Sequence, residues 1–435
     1  MLAIDEGGGY ANLSRVHDVE AADRALVHEL VSGVTRRRGT LDWTLGRLLT
    51  RPLADLTAPI RNILRMGAYQ LLFLDRVPAR AAVDESVKLA HAYGHAGVAK
   101  LVNGVLRNLD RRRAELEPPA FAEAPQAALE ARYSLPPWLA SRWLAAYGGE
   151  AEQLGAWSVG TPRLSLRVNS LKAERDQVLA ALAEAGVPAE PSPLAPEGIR
   201  LAGGFDVTAL PGYNEGWWYV QDEAAMLVAR CLDPKAGETV IDVGAAPGGK
   251  TTHLAQLMGD RGRILAVDQR GARLRLLEEN LERLGVTCVE SIEQDAVDLG
   301  GLPQADRILL DVPCSGLGVL PRKPDIRWRQ SEAEIMGLAG IQRRLLDAAH
   351  DVLKPGGTMV YSTCTIGPTE NQEVIMGFLA ANPGYRLGSL APFLPAAWAA
   401  DIEQGGMIQL LPHRHGVDGF FIARLEAPKE NQEGK

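Results

Sequence analysis

The fold of this chain is decided by the stretch Ile241-Asp242-Val243-Gly244-Ala245-Ala246-Pro247-Gly248-Gly249-Lys250-Thr251. This stretch joins an apolar strand to a helical segment through a turn rich in glycine. Glycine lets the backbone turn sharply and approach a ligand closely, and the start of a helix presents free N–H groups to an electronegative group. The pattern therefore predicts a strand, a ligand-binding loop and a helix in succession.

Short β-rich runs alternate with helical segments on both sides of this loop. Such alternation predicts βαβ units and a largely parallel sheet. Ligands bind sheets of this kind at the carboxyl ends of the strands. The predicted strands are Thr239–Val243, Ile264–Val267, Thr287–Ile292, Arg307–Leu310 and Thr358–Tyr361.

Two kinds of ligand compete for the glycine-rich loop. Counted from Gly244 to Gly249 and Lys250, the loop formally fits a phosphate-binding P-loop, which implies ATP or GTP and a Mg²⁺-binding aspartate on a neighbouring strand. The next strand instead ends at Asp268, whose carboxylate suits the two hydroxyls of a ribose. Asp295 follows the third strand, where it can accept a hydrogen bond from an adenine amine. These residues favour a nucleoside site without a triphosphate clamp.

Two of the four cysteines also follow strands. Cys314 comes shortly after the fourth strand and Cys364 after the fifth, each in a polar loop, so both are expected at the cofactor edge of the sheet. We predict that Cys231 and Cys288 are small buried hydrophobic residues. The cysteines lack CxxC spacing and a histidine at metal-ligand spacing, so no metal site is expected.

Two cysteines at one sheet edge suit methylation of cytosine at C5. A thiolate that adds to C6 makes C5 nucleophilic toward a sulfonium methyl group, and covalent catalysis divides one difficult step into easier ones. A second group must then remove the C5 proton so that the thiolate can leave. A carboxyl group such as Asp311 can assist by hydrogen bonding to N3 of the base. The residues alone do not say which cysteine attacks.

The part of the chain before the sheet has a different character. Apolar residues recur at helical spacing in Ala22–Val34, Leu56–Phe73, Ala81–Ala92 and Val98–Leu109, so residues 1–115 are predicted to be all-helical. A proline-rich linker follows. A small α+β module is then expected, with helices at Trp138–Tyr147, Glu150–Val159 and Arg175–Ala185 and strands at Arg163–Val168, Ile199–Leu201 and Trp217–Val220.

Length and charge set outer limits on function. The 435 residues imply two or three domains, and no stretch is long and apolar enough to predict a transmembrane helix. Residues 1–10 lack the features of a signal peptide, so a cytoplasmic protein is expected. The net charge of −8 counts mildly against a nucleic-acid partner.

Although the net charge is negative, the sequence contains local clusters of basic residues. One such cluster comprises Arg322, Lys323, Arg327 and Arg329, and follows the Cys314 loop. It could hold RNA phosphates while Trp328 stacks on a splayed base, or Trp328 could simply pack in the protein. Both alternatives stay open for Trp328. For two further arginine clusters, at residues 36–38 and at Arg107 with residues 111–113, a solvated surface is the favoured interpretation.

Taken together, the motifs resemble the RNA 5-methylcytosine methyltransferases. The residues that carry this resemblance lie at 167–169, 220–224, 244–250, 311–316, 362–365 and 418–421. Residues 61–72 and 102–107 look like the helical NusB fold, an RNA-binding module. The resemblance implies an α/β Rossmann-like class I methyltransferase domain at 229–428. An all-α NusB-like domain at 1–120 and a small α+β linker or RNA-recognition module at 127–228 precede it.

This resemblance also implies an activity. Bacterial enzymes with this combination of domains methylate C5 of a cytosine in 16S rRNA, so 16S rRNA is the expected partner, S-adenosyl-L-methionine the expected cofactor and a monomer the expected state. It assigns Cys364 as the nucleophile, Cys314 to proton removal and product release, and Asp311 to the base. The implied cofactor-binding residues are Gly244, Ala245, Ala246, Pro247, Gly248, Gly249, Lys250, Asp268, Asp295 and Asp311.

Two alternatives remain at this point, namely an RNA-associated P-loop NTPase and a non-catalytic RNA-binding or antitermination factor. The resemblance also places Met1 close to the end of the family's first helix.

Overall fold

The structure is a computed structural model that describes residues 21–429. The predictions for the first residues, namely the missing signal peptide and the short first helix, lie outside this range. The chain divides into two compact units. A helical unit comprises the residues up to Thr161 together with Val319–Ser331, and a sheet unit comprises Pro162–Gly318 and the residues from Glu332 onward. Within residues 21–429, no helix combines the length and the apolar character needed to cross a membrane.

Helices and strands are numbered here in chain order. The first part contains α1 (Ala21–Arg36), α2 (Arg38–Gly46), α3 (Ala58–Phe73), α4 (Ala79–Ala92), α5 (Ala96–Arg112), α6 (Pro125–Ala131), α7 (Pro137–Tyr147), α8 (Ala151–Ser158), β1 (Leu164–Val168), α9 (Arg175–Glu184), β2 (Ala189–Pro191), β3 (Gly198–Leu201), β4 (Trp218–Val220) and α10 (Glu223–Leu232). The second part contains β5 (Thr239–Val243), α11 (Gly249–Leu257), β6 (Arg263–Asp268), α12 (Gly271–Leu284), β7 (Val289–Glu293), β8 (Ala305–Asp311), α13 (Ile326–Arg329), α14 (Glu332–Val352), β9 (Leu353–Thr363), α15 (Gln372–Ala381), β10 (Arg386–Leu387), β11 (Ile402–Glu403), β12 (Met407–Leu410), α16 (Pro412–His415) and β13 (Phe420–Glu426).

The helical unit is built around α3. Its apolar residues recur three and four positions apart and are buried, among them Ile60, Leu64 and Leu71. Pro59 lies in the first turn, where its missing N–H needs no partner. This helix packs against α4 and α5. The four helices predicted for this region are confirmed, as α1, α3, α4 and α5. The sequence pattern missed α2, whose Thr and Gly residues weaken the helical signal.

One member of the basic cluster that follows the Cys314 loop is not accessible to a phosphate. Arg327 is fully buried in the helical unit, where its guanidinium donates to the carbonyls of Tyr133, Ser134 and Ser158. The indole N–H of Trp328 donates to the Thr35 carbonyl at 2.8 Å. For Arg327 the RNA-contact hypothesis is therefore wrong, whereas Trp328 is half-buried and its indole N–H is held by the protein.

A four-stranded antiparallel sheet begins the sheet unit, with the strand order β2-β3-β1-β4. Its core contains Leu166, Val178, Ile199 and Trp218, which α9 helps to cover. The strands predicted for this module are confirmed within two residues, whereas the short edge strand β2 was not predicted. The proposed boundaries at residues 120, 127 and 228 stay a prediction.

The large sheet has the strand order β11-β12-β13-β9-β8-β5-β6-β7, with β10 paired to β13. Strands β5 to β9 run parallel, as predicted. Strands β5, β6, β8 and β9 contribute buried residues to the core, whereas β7 is only partly buried. The antiparallel edge formed by β10 to β13 was not predicted, because two of its strands have only two residues. The parallel part places the ends of β5, β6, β7, β8 and β9 along one edge.

Replacement of Arg327 with methionine tests its role in the helical unit. The change keeps an apolar stem but leaves buried carbonyls without a donor, at about 1–3 kcal/mol for each unsatisfied group. We expect the helical unit to lose about 2–4 kcal/mol of stability, seen as faster native-state hydrogen exchange in α6, α7 and α8. Lys323→Met, on an exposed lysine of the same segment, should change stability by less than about 0.5 kcal/mol. Equal exchange in the two variants would contradict this account.

Candidate active site

The candidate site lies where the strand order reverses. Strand β5 pairs with β6 on one side and β8 on the other, and ligands of such sheets bind in the crevice at this point. The glycine-rich loop leaves the carboxyl end of β5 here. Gly244 has φ +76°, and a Cβ at this position would lie 2.4 Å from the Asp311 carbonyl oxygen. Only glycine therefore allows β5 and β8 to approach this closely at the site.

Hydroxyl groups of α11 fix the loop from within. Thr251 Oγ1 donates to Asp242 Oδ2 at 2.6 Å, and Thr252 Oγ1 donates to the Gly248 carbonyl at 2.6 Å. Asp242 is fully buried, and burial raises the pKa of its carboxyl group to about 7. Its Oδ1 has no hydrogen-bond partner among the described residues. The sequence analysis gave Asp242 no role, and the structure places it directly before the glycine-rich loop.

Arg167 of β1 supports the same loop from the small sheet. Its buried guanidinium donates to the Gly249 carbonyl and the Gln221 side chain, and to Thr252 Oγ1 at 2.8 Å. Burial lowers the pKa of Arg167 to about 9. The motifs at residues 167–169 and 220–224 thus contain side chains that support the glycine-rich loop. The linear sequence did not reveal these contacts.

The two acidic residues at strand ends lie in different environments. Asp268, the last residue of β6, is buried, with Oδ2 3.1 Å from Arg273 Nη1. Arg273 also donates to the Ala246 carbonyl, so it joins Asp268 to the loop. Asp295 is exposed in the turn after β7, where its Oδ1 accepts from the Val297 N–H at 3.2 Å.

The two predicted cysteines are neighbours. Cys314 Sγ and Cys364 Sγ lie 3.4 Å apart, both sulfurs are free thiols, and both residues are partly exposed. Asp311 accepts a hydrogen bond from Lys250 Nζ at 2.7 Å, and this Nζ lies 5.4 Å from the centre of the Phe420 ring. The fold therefore brings the catalytic candidates to the lysine of the glycine-rich loop.

The charges around the two sulfurs differ. The hydrogen bond with Cys364, burial and the charges of Cys364 and Glu370 raise the pKa of Cys314 well above its ordinary value. Burial disfavours the charged form of Lys250, but Asp311 and the negative charge of Cys364 raise the pKa of Lys250 overall. A protonated amine thus lies near Cys364, while a carboxylate lies near Cys314.

The other two cysteines are remote from this chemistry. Cys231 is fully buried in α10, as predicted, and burial raises its pKa to about 12. Cys288 is only half-buried, which differs from the prediction of a buried hydrophobic residue, because it lies at the start of β7 beside Asp260.

Comparison with known proteins gives matches across most of the chain. The family described as 16S rRNA methyltransferase RsmB/F matches residues 229–426, and the NusB family matches residues 7–111. The ferredoxin-like domain of RsmF/B-like methyltransferases matches residues 135–208. These matches fall on the parallel sheet, the helical region and the small antiparallel sheet respectively.

A relative and two solved structures extend these matches. "Probable ribosomal RNA small subunit methyltransferase B" of Synechocystis sp. is 44% identical over 415 residues, which cover 94% of this chain and 92% of the relative. The structure of PH0851 is 31% identical with a TM-score of 0.80, and the match covers 94% of this chain and 92% of that one. NSun6 from Pyrococcus horikoshii with SFG is 27% identical with a TM-score of 0.61, and the match covers 68% of this chain and 99% of that one.

The predicted fold, a class I methyltransferase domain with a NusB-like helical domain, is therefore confirmed. The 44% identity with the Synechocystis relative extends over nearly the whole length of both proteins. The chain belongs to the RsmB/F family of 16S rRNA methyltransferases.

Proposed function

We propose that this protein methylates C5 of a cytosine in 16S rRNA, with S-adenosyl-L-methionine as methyl donor and a transient bond between Cys364 and C6. The observation that carries the proposal is the contact of two free thiols, 3.4 Å apart, at the sheet edge that bears the glycine-rich loop. The names of its relatives support a ribosomal RNA substrate.

The residues at this edge fit the proposed cofactor. S-adenosyl-L-methionine supplies a methyl group bonded to a positively charged sulfur, and it also carries an amine, a ribose and an adenine. Residues 244–250 would approach it through their backbone, and Asp268, Asp295 and Asp311 would accept hydrogen bonds from it. The unpartnered buried oxygen of Asp242 suits a ligand that carries N–H groups. The related structure of NSun6 from Pyrococcus horikoshii was solved with SFG.

The charges favour Cys364 as the nucleophile. Cysteine attacks as a thiolate, which a nearby cation stabilises. Lys250 provides that cation beside Cys364, whereas the hydrogen bond with Cys364, partial burial and nearby negative charge raise the pKa of Cys314 and keep it protonated. A protonated Cys314 can donate a hydrogen bond to the neighbouring thiolate. The resemblance to the family and this electrostatic difference therefore assign the same order to the two cysteines.

The reaction steps follow from these protonation states. The Cys364 thiolate adds to C6 of the base while Asp311, held by Lys250, contacts the base, and C5 then bonds to the methyl group. Once the Cys364 sulfur is bonded to carbon, its negative charge no longer raises the pKa of Cys314. Cys314 can then lose its proton to solvent, and the resulting thiolate takes the C5 proton. The electrons of that C–H bond re-form the C5–C6 double bond and expel Cys364 as a thiolate.

The remaining parts of the chain complete the proposal. We assign residues 1–120 to an RNA-binding NusB-like domain, residues 127–228 to RNA recognition and residues 229–428 to catalysis. The family matches at 7–111, 135–208 and 229–426 support this division. A monomer in the bacterial cytoplasm, where ribosomal RNA is made, is the state in which we expect it to act.

Serine substitutions separate the proposed roles of the two cysteines. Cys314→Ser removes the group that takes the C5 proton, so the protein should remain bonded to RNA and appear as a slower, denaturation-resistant band in gel electrophoresis. Cys364→Ser removes the nucleophile, so both the band and methyl transfer should be lost. A trapped band with Cys364→Ser, together with release by Cys314→Ser, would reverse the assignment.

Asp268→Asn tests the proposed cofactor contact. A hydrogen bond to a charged group contributes about 1.5–3 kcal/mol, so the Kd for S-adenosyl-L-methionine should rise roughly 10- to 100-fold in isothermal titration. Glu279→Gln, on an exposed residue of the helix after β6, removes the same charge and should leave the Kd unchanged. An unaltered Kd for Asp268→Asn would exclude this residue from the cofactor site.

A further inference from the structure

One buried carboxylate beneath the site is not used by the proposed reaction. Glu370 lies in the turn before α15, and it is 3% exposed. Glu370 Oε1 accepts from the Ser315 N–H at 2.8 Å and from Gln342 Nε2 at 3.2 Å. Its Oε2 accepts from the Ser315 hydroxyl. This carboxylate therefore holds the residue that follows Cys314.

The same hydrogen bonds continue to the residue that follows Cys364. Ser315 Oγ lies 2.7 Å from Thr365 Oγ1, and Thr365 Oγ1 accepts from the Leu317 N–H at 3.3 Å. Ser315 and Thr365 are both fully buried. The side chains of Ser315 and Thr365 thus connect the loops of the two cysteines next to the Glu370 carboxylate.

Backbone hydrogen bonds also join the Cys314 and Cys364 loops. The Gly318 N–H donates to the Cys364 carbonyl at 3.0 Å, and the Gly419 N–H donates to the Gly318 carbonyl at 2.8 Å. A Cβ on Gly318 would lie 1.9 Å from the Gly419 carbonyl oxygen, so the loops meet too closely for any side chain. This junction of the Cys314 and Cys364 loops is tightly packed, and Glu370 is its acidic residue.

We propose that Glu370 is the positioning residue that holds the Cys314 loop against the Cys364 loop, so that the two sulfurs stay in hydrogen-bond contact. This inference rests on the proposed function only in its consequence for methyl transfer. The contact geometry itself exists without RNA or cofactor. Glu370 does not reach the reacting atoms; it acts through Ser315 and Thr365.

Its charge adds a second effect on the same pair. A carboxylate near Cys314 disfavours a second negative charge there and keeps this sulfur in its thiol form. The other titratable groups around Cys314 are Cys364 and Tyr361, and Arg343 faces Tyr361. Glu370 therefore supplies a negative charge on the Cys314 side of the pair.

Thiol–disulfide exchange measures the positioning directly. In a glutathione buffer, the two thiols give up two hydrogen atoms to oxidised glutathione, forming the Cys314–Cys364 disulfide and two molecules of reduced glutathione. Glu370→Ala removes three accepted hydrogen bonds, so the effective concentration of the thiol pair should fall at least tenfold. Glu373→Gln, on an exposed glutamate of the same segment, should match the native protein. A native value for Glu370→Ala would overturn the proposal.

Glu370→Gln separates charge from position and keeps the test decisive if Glu370→Ala does not fold. The amide oxygen can still accept from Ser315 and Gln342, so the disulfide equilibrium should change less than threefold. The pH at which iodoacetamide modifies Cys314 should shift downward, and kcat should fall while KM for the cofactor stays constant. An unshifted pH profile together with a native kcat would overturn the proposal.

These measurements distinguish this inference from the proposed function. Both the exchange and the alkylation are made on the full chain without RNA. If they respond to Glu370 as expected while the native protein methylates no cytosine, the positioning stands and the proposed reaction fails. If the native protein methylates cytosine and the Glu370 variants behave as Glu373→Gln does, the positioning fails and the reaction stands.

Discussion

The parallel pairing of β8 with β9 is the constraint on which the site depends. In this register Asp311 lies beside Ser362, so the loops that leave the two strands start next to each other. The sulfurs of Cys314 and Cys364 can then meet at 3.4 Å although 50 residues separate them in the chain. Since β5 lies on the other side of β8, the glycine-rich loop ends at the same place and brings Lys250 to Asp311.

The side chains of Cys314 and Cys364 have different electrostatic surroundings. Lys250 provides a positive charge on the Cys364 side, and Glu370 provides a negative charge on the Cys314 side. In a partly buried setting such charges act strongly because little water screens them. The two cysteines therefore differ in how readily each can carry a negative charge.

The helical unit shows how far a sequence pattern can mislead when burial is unknown. Arg327 and Trp328 form, with their basic neighbours, a segment typical of an RNA-binding surface. Within the helical unit the guanidinium instead satisfies backbone carbonyls and the indole donates to another. A charged side chain is normally exposed, so its burial follows only from unpaired carbonyls elsewhere in the fold, which a linear sequence does not reveal.

By itself the sequence determined the alternation of strands and helices, the glycine-rich turn at residues 244–250 and the placement of Asp268, Asp311, Cys314 and Cys364 at strand ends. These features are local, because each depends on periodicity, glycine spacing or position after a strand. Only the tertiary structure decided the sulfur contact, the brace formed by Arg167, the unpaired oxygen of Asp242 and the junction at Glu370. Each of these depends on residues distant in the chain or on a buried environment, and both are set by packing rather than by local pattern.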